Sequence, residues 1–71
     1  MTKLGIYLAK KSVNKSEISR RTGIRKSRLS ALSTDPRINL RVNELYLIAL
    51  AIDVNPCELL TEVCSHVKLE K

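Results

Sequence analysis

The stretch that decides the fold of this chain is Asn14-Lys-Ser-Glu-Ile-Ser-Arg-Arg-Thr-Gly-Ile-Arg-Lys-Ser-Arg-Leu-Ser-Ala-Leu32. It has the pattern of two short helices joined by a glycine turn, with apolar residues on the inner faces and cations outside. Asn14 is a favourable N-cap, and Glu17 is placed three residues later to reach back to the N–H group of the cap. Gly23 ends the first helix, because glycine takes the left-handed conformation at little cost. The stretch therefore predicts two helices and a turn over about residues 15–33.

Positive charge is concentrated in and just before this stretch. Residues 10–28 hold eight of the thirteen basic residues and a single acid, Glu17. Residues 1–41 carry eleven basic and two acidic side chains, a net charge of +9, whereas residues 42–71 carry two and five, a net charge of −3. A basic half indicates a surface for a polyanion, and nucleic acid is the usual one. A membrane surface is a weaker alternative, because no strongly apolar amphipathic face coincides with the basic run.

Length and composition indicate one small domain, residues 1–71. A chain of this size buries only about 60% of its unfolded surface. Hydrophobic residues make up 44% of the chain, with neither Trp nor Phe, so aliphatic side chains must fill the core, as in small helical bundles. The pattern of a signal peptide is missing, and no apolar run approaches the ~18 residues of a membrane span. We therefore expect a cytoplasmic protein.

Three further helices are predicted around the central pair, which makes the predicted fold all-α. The five helices are expected at about residues 2–11, 15–22, 25–33, 41–52 and 56–66, with a frayed end at about 67–71. Asn55 and Pro56 are a favourable cap and first residue for the last helix. Tyr7 and Tyr46 are interpreted as core rings with their hydroxyl groups at the surface. The last helix has the apolar positions Leu59, Leu60, Val63 and Val67, and Ile24 is the apolar residue of the turn. The other inward positions are predicted to be Leu4, Leu8, Ile18, Ser19, Thr22, Leu29, Leu32, Leu45, Ile48, Ala49 and Ile52.

With the helices placed, residues 4–60 resemble the Cro/C1-type (XRE family) helix-turn-helix domain. The turn of that family matches Gly23-Ile24, and its hydrophobic–Ser pair matches Leu29-Ser30. Its later "Leu-x-x-Ile-Ala-x-Ala-Leu" helix is similar to Leu45-Tyr-Leu-Ile-Ala-Leu-Ala-Ile52, and its final Leu pair to Leu59-Leu60. The resemblance implies a five-helix, lambda-repressor-like DNA-binding domain. The chain departs from the family pattern where Lys15 replaces a frequent Gln and Arg25, a poor cap, replaces a frequent Ser.

The resemblance also implies which residues touch double-stranded DNA. In such domains the third helix lies in the major groove, with its N-terminal end at the base edges. Lysine and arginine suit guanine N7 and O6, and alanine suits the methyl group of thymine. An alternative for Arg28 is contact with phosphate, or only solvation of its helix. The side chains implied to contact bases are Lys26, Ser27, Arg28, Ser30 and Ala31.

Phosphate contacts are implied for a second set of residues. Lys15 stands at the start of the second helix, where family members place a phosphate near the helix-end N–H groups. The loop after the third helix and the start of the fourth flank a second strip of phosphates, and their implied contacts are Arg37, Asn39, Arg41 and Asn43. Arg20 and Arg21 are interpreted as solvated or paired with acids.

Neither a catalytic site nor a cofactor is predicted. The chain offers no nucleophile–base pair, and its one histidine, His66, lies near the predicted frayed end. Cys57, Cys64 and His66 provide three ligands near one helix, whereas zinc usually takes four, often in close pairs, so we expect no metal. The two cysteines lie seven residues apart, which is ~10 Å along a helix and too far for a disulfide. They are interpreted as small core or interface residues.

The leading functional hypothesis is a sequence-specific transcriptional regulator, a small repressor that binds double-stranded DNA as a homodimer. The alternative is an antitoxin-like or accessory interaction subunit whose DNA binding serves a protein complex. RNA binding is weaker, because the chain lacks an aromatic stacking surface. No small-molecule ligand is expected. Leu60, Val63, Cys64 and Val67 either form a self-contact or only close the core, and the sequence leaves both open.

Overall fold

The computed structural model describes residues 2–69, and within them the chain forms five α-helices and no strand. These are α1 (Lys3–Lys10), α2 (Lys15–Thr22), α3 (Lys26–Thr34), α4 (Val42–Ala51) and α5 (Pro56–Val63). The all-α prediction is confirmed, and α2 has the predicted bounds. The helix α3 begins and ends one residue later than predicted, whereas α1, α4 and α5 are shorter at their ends. Of the predicted frayed end, residues 70–71 lie outside the described residues.

Two predicted caps determine where α2 and α5 begin. The side-chain oxygen of Asn14 accepts hydrogen bonds from the backbone N–H groups of Ser16 (2.7 Å) and Glu17 (3.3 Å). The side-chain oxygen of Asn55 accepts from the N–H group of Cys57 at 2.8 Å, with Pro56 as the first helical residue. Each cap satisfies N–H groups that have no partner inside the helix, which fixes the first turn.

The turn between α2 and α3 has the predicted glycine geometry. Gly23 adopts φ +80° and ψ 0°, and its N–H group donates to the carbonyl of Ser19 at 2.9 Å. The hydroxyl of Thr22 donates to the carbonyl of Ile18 and accepts from the N–H group of Ile24. Thr22 is half-buried and Ile24 is buried, so the turn is held by hydrogen bonds on one side and by the core on the other.

Thr2 attaches the start of α1 to the end of α3. Its hydroxyl caps α1 by accepting from the N–H group of Gly5 at 3.0 Å, and it donates to the carbonyl of Leu32 at 2.8 Å. The N–H group of Thr2 also donates to the carbonyl of Ser33 at 2.9 Å. Ser33 itself is buried, with its hydroxyl satisfied by the carbonyl of Leu29, and the sequence had not indicated this position.

The core lies between the five helices, each of which contributes at least one buried residue. Tyr7 is buried as predicted, and its hydroxyl donates to a carboxylate oxygen of Glu58 at 3.2 Å. Burial, followed by the nearby Glu58, raises the pKa of Tyr7. Val13, Ile52 and Val63 are partly buried against this cluster. The buried hydrophobic residues are Leu4, Tyr7, Leu8, Ile18, Ile24, Leu29, Leu32, Leu45, Ile48, Ala49 and Leu59.

One predicted core ring, Tyr46, is wrong, and several α5 positions that the sequence left open between core and self-contact are exposed. Tyr46 is 54% exposed, Leu60 is 49% exposed and Val67 is 63% exposed. Cys57 and Cys64 are exposed free thiols, so of their two interpretations the core one does not hold and the interface one stays a prediction. The reason for Val67 is that α5 ends at Val63, one turn earlier than predicted, and the chain leaves the helix before reaching it. Ser19, predicted inward, is only half-buried.

The inner side of α3 packs against two neighbouring helices. The helix α3 packs on α1 and α2, whereas α4 packs on α2 and α5. No Cα atom of α3 lies within 8 Å of a Cα atom of α4. The side of α3 away from α1 and α2 is therefore left uncovered by the described part of the chain.

We expect Gly23→Ala to destabilise the domain by about 1–2 kcal/mol, because a residue with a Cβ is strained at positive φ. An added Cβ would meet no atom within 4 Å, so the loss would report on backbone conformation alone. Urea unfolding measures the change, and Gly23→Asn is the matched control, since asparagine tolerates this conformation better than alanine. Equal stability of the wild type and the alanine variant would contradict this account of the turn.

Candidate nucleic-acid interface

The exposed side of α3 carries four of the predicted base-contacting residues. Lys26, Ser27 and Ser30 are exposed and Ala31 is half-buried. Positions i, i+1, i+4 and i+5 share one side of a helix, which we call the α3 face. The opposite side holds Leu29, which is 0% exposed, together with Leu32 and Ser33. Burial of that side directs the α3 face to solvent.

The start of α2 lies beside the start of α3. The ammonium group of Lys26 donates to the hydroxyl of Ser16 in the first turn of α2 at 3.3 Å. Lys15, the first residue of α2, is half-buried and has no ion-pair partner among residues 2–69. Two cations and the positive end of the α2 dipole therefore lie together, an arrangement that favours an anion such as a phosphate.

The one acid of the basic stretch neutralises two arginines at the end of α2. The carboxylate of Glu17 accepts from Arg20 and from Nε of Arg21, the latter at 2.8 Å. These hydrogen bonds, the one from Arg20 first, lower the pKa of Glu17 to about 2. The interpretation of both arginines as paired with an acid is confirmed. The expected reach of Glu17 back to the cap is wrong, because its carboxylate faces the following turn.

Arg28 differs from the rest of the predicted base contacts, because its guanidinium group faces α4. Its Nε and Nη2 atoms donate to the two carboxylate oxygens of Glu44, each at 3.0 Å. Nη2 also donates to the backbone carbonyl of Asn39 at 3.1 Å. The hydrogen bond from Arg28 is the main cause that lowers the pKa of Glu44, and the same bond raises the pKa of Arg28. A base contact by Arg28 stays a prediction, and it would require these bonds to break.

The predicted second phosphate strip lies on the α3–α4 loop (residues 35–41) and the start of α4. Arg37, Asn39, Arg41 and Asn43 are all exposed. Arg37 is partly neutralised by Asp35, whose carboxylate accepts from its Nε at 3.2 Å and from its N–H group at 2.9 Å. The side-chain hydrogen bond from Arg37 is the main cause that lowers the pKa of Asp35. Arg41 has no ion pair among residues 2–69, so it is the less compensated cation of the two.

Sequence reasoning missed one cation at the start of α3. Arg25 is the N-cap residue of α3, is exposed and makes no side-chain capping bond. It also has no ion pair within the described part of the chain. Its position directly before Lys26 was the available signal, and the sequence had indicated only a poor cap.

The described residues provide neither a metal-binding cluster nor a membrane-spanning helix. Between residues 2 and 69 no three His, Cys, Asp or Glu side chains are grouped so as to hold a metal ion. Over the same residues, no helix has the length and apolar character needed to cross a membrane. Cys57, Cys64 and His66, which the sequence did not favour as metal ligands, are exposed at and beyond α5.

The comparison with known families agrees with this geometry. The family model of the Cro/C1-type HTH DNA-binding domain matches residues 3–65, which include all five helices. No curated protein and no solved structure matches the chain. The family match covers most of the 71 residues and confirms the resemblance that the sequence had indicated. The chain belongs to the family of Cro/C1-type helix-turn-helix DNA-binding domains.

Proposed function

We propose that the chain is a sequence-specific transcriptional regulator, a small repressor that reads the major groove with α3. The observation that carries the proposal is the α3 face, formed by Lys26, Ser27, Ser30 and Ala31, which is uncovered while the opposite side of the helix is buried. It offers a lysine for guanine edges, two hydroxyl groups and a methyl group for thymine. The proposal needs neither a catalytic group nor a cofactor.

Phosphate contacts on both sides of the α3 face would orient it in the groove. On one side are Lys15 and the start of α2, to which we add Arg25 at the start of α3. On the other side are Arg41, Arg37, Asn39 and Asn43, all exposed. Contacts of this kind carry no sequence information but set the register of the helix on the duplex.

A homodimer would provide two copies of this small interface. An apolar groove of about 590 Å³ lies between the start of α1, the α3–α4 loop and α5, and Leu60, Val63 and Cys64 line it. Leu60 is 49% exposed, so burial of this side chain in a second copy would remove apolar surface from water. Val63 also packs on the core, so under this proposal α5 would close the core with one side and present Leu60 to a second copy with the other.

The accessory-subunit alternative is favoured by a separate apolar stripe. Val42, Tyr46 and Leu50 follow one another at intervals of four along α4 and are 81%, 54% and 55% exposed. Such spacing places them on one side of the helix, away from the core positions. An exposed apolar stripe is typical of a surface that binds another protein.

The variants Lys26→Ala and Lys15→Ala would separate base recognition from phosphate binding. With a site selected from random DNA, we expect Lys26→Ala to weaken binding to it by about 1–3 kcal/mol and to relax one base preference. Lys15→Ala should weaken selected and random DNA alike and reduce the slope of log K against log salt by about 0.9. Fluorescence anisotropy at several salt concentrations measures both quantities. Lys68→Ala, which removes an exposed charge beyond α5, is the control. Equal losses for Lys26→Ala on every sequence would exclude base reading by this residue.

Leu60→Glu and Leu50→Glu would distinguish the two apolar surfaces. We expect Leu60→Glu to abolish dimeric binding to a palindromic site whose half-sites lie about 10–10.5 base pairs apart, because a carboxylate would be buried in the contact. Leu50→Glu changes an equally exposed leucine and should leave this binding intact. Sedimentation of the protein–DNA complexes gives the stoichiometry. The reverse result would assign self-association to the α4 stripe, and loss of a co-purifying protein only in Leu50→Glu would favour the accessory role.

A further inference from the structure

We propose that Arg28 is a positioning residue of the DNA interface, which fixes the α3 face relative to the α3–α4 loop through Glu44. This inference rests on the proposed function, since it assigns Arg28 to the support of the interface and not to reading. It also assigns a role to Glu44, an acid that lies at the edge of a surface for a polyanion.

The ion pair has the geometry of a strong contact. Both carboxylate oxygens of Glu44 accept from the guanidinium of Arg28, which is the bidentate arrangement that fixes orientation as well as distance. The side chains of Arg28 and Glu44 are 32% and 13% exposed, whereas those of Arg37 and Asp35 are 88% and 30% exposed. Shielding from water makes the first pair less screened than the second.

The pair joins three segments that meet the proposed DNA surface. Arg28 belongs to α3, and its second bond from Nη2 holds the carbonyl of Asn39 in the loop. Glu44 belongs to α4, and its Oε1 atom also accepts from the N–H group of Arg41 at 3.0 Å. Because no Cα atoms of α3 and α4 approach within 8 Å, this side-chain network links two helices that do not pack backbone to backbone. It therefore sets the distance between the α3 face and the second phosphate strip.

Reading a base would be costly for Arg28. Its guanidinium would have to give up three hydrogen bonds, two to Glu44 and one to Asn39. The carboxylate of Glu44, which is 13% exposed with Arg28 in place, would then lose its counter-charge close to the phosphates of the duplex. Lys26, by contrast, would lose only one 3.3 Å hydrogen bond to an exposed hydroxyl. As long as the pair is intact, Arg28 also cancels the charge that would otherwise repel DNA.

A double-mutant cycle tests the proposal. We expect Arg28→Ala and Glu44→Gln each to weaken binding to the selected site by about tenfold, and the double variant to be no weaker than either, since both remove one network. The selected base preferences should keep their identity in all three variants, and the salt slope should fall by about 1–2 as the second phosphate strip is displaced. If Arg28 reads a base, Arg28→Ala will instead erase one base preference, while Glu44→Gln, which frees Arg28 and removes a negative charge, will bind as well as the wild type or better. That pattern would overturn the proposal.

Two further measurements keep the test decisive. Thermal unfolding shows whether each variant is folded at the binding temperature. If a variant is unfolded, Arg28→Lys takes its place, because lysine keeps the positive charge but lacks the bidentate guanidinium fork. Its expected result is the same loss of salt slope with unchanged base preferences, and an unchanged slope would reject the proposal. If wild-type protein selects no sequence, the function proposed above fails, yet the salt slope on random duplex still decides whether Arg28 and Glu44 act together.

Discussion

Burial of the inner side of α3 is the constraint on which the rest of the structure depends. Leu29 and Leu32 are removed from water between α1 and α2, and Gly23 provides the left-handed turn that lets α3 reach this place. Because a helix has only one side to bury, the same packing directs Lys26, Ser27 and Ser30 outward. Hydrophobic packing that stabilises the domain thus also creates its proposed reading surface.

Acidic side chains decide which of the many cations remain available to an anion. Glu17 holds Arg20 and Arg21, Asp35 holds Arg37, and Glu44 holds Arg28. The count of thirteen basic residues therefore overstates the number of cations that are free to bind an anion. Lys15, Arg25, Lys26 and Arg41 have no such partner among the described residues; Lys26 belongs to the α3 face, and the other three are the proposed phosphate contacts beside it. Lys3, Lys10 and Lys11, on and just after α1, likewise have no ion pair among residues 2–69, so the ion pairs neutralise four arginines without confining the free charge to the proposed interface.

Much of the fold was predictable because its signals are local. Asn14 and Asn55 cap the helices expected of them, and Gly23 occurs at the predicted turn. Tyr46 was misplaced for a physical reason, since α4 is apolar on most of its circumference and periodicity cannot choose between its sides. Four of the five residues predicted to contact bases lie on the α3 face, whereas the guanidinium group of Arg28 faces α4. An arginine suits a surface that faces DNA, but Glu44, the acid that binds Arg28, lies sixteen positions further along the chain.

By itself, the sequence determined the five helices, the glycine turn and the family, because caps, turn residues and apolar spacing act over a few residues. Only the tertiary structure decided which cations are neutralised and which apolar residues stay exposed. An ion pair depends on the distance between side chains in space, and burial depends on which helices pack together. The pairing of Arg28 with Glu44 is the clearest case, because it joins side chains sixteen positions apart on two helices that do not pack on each other.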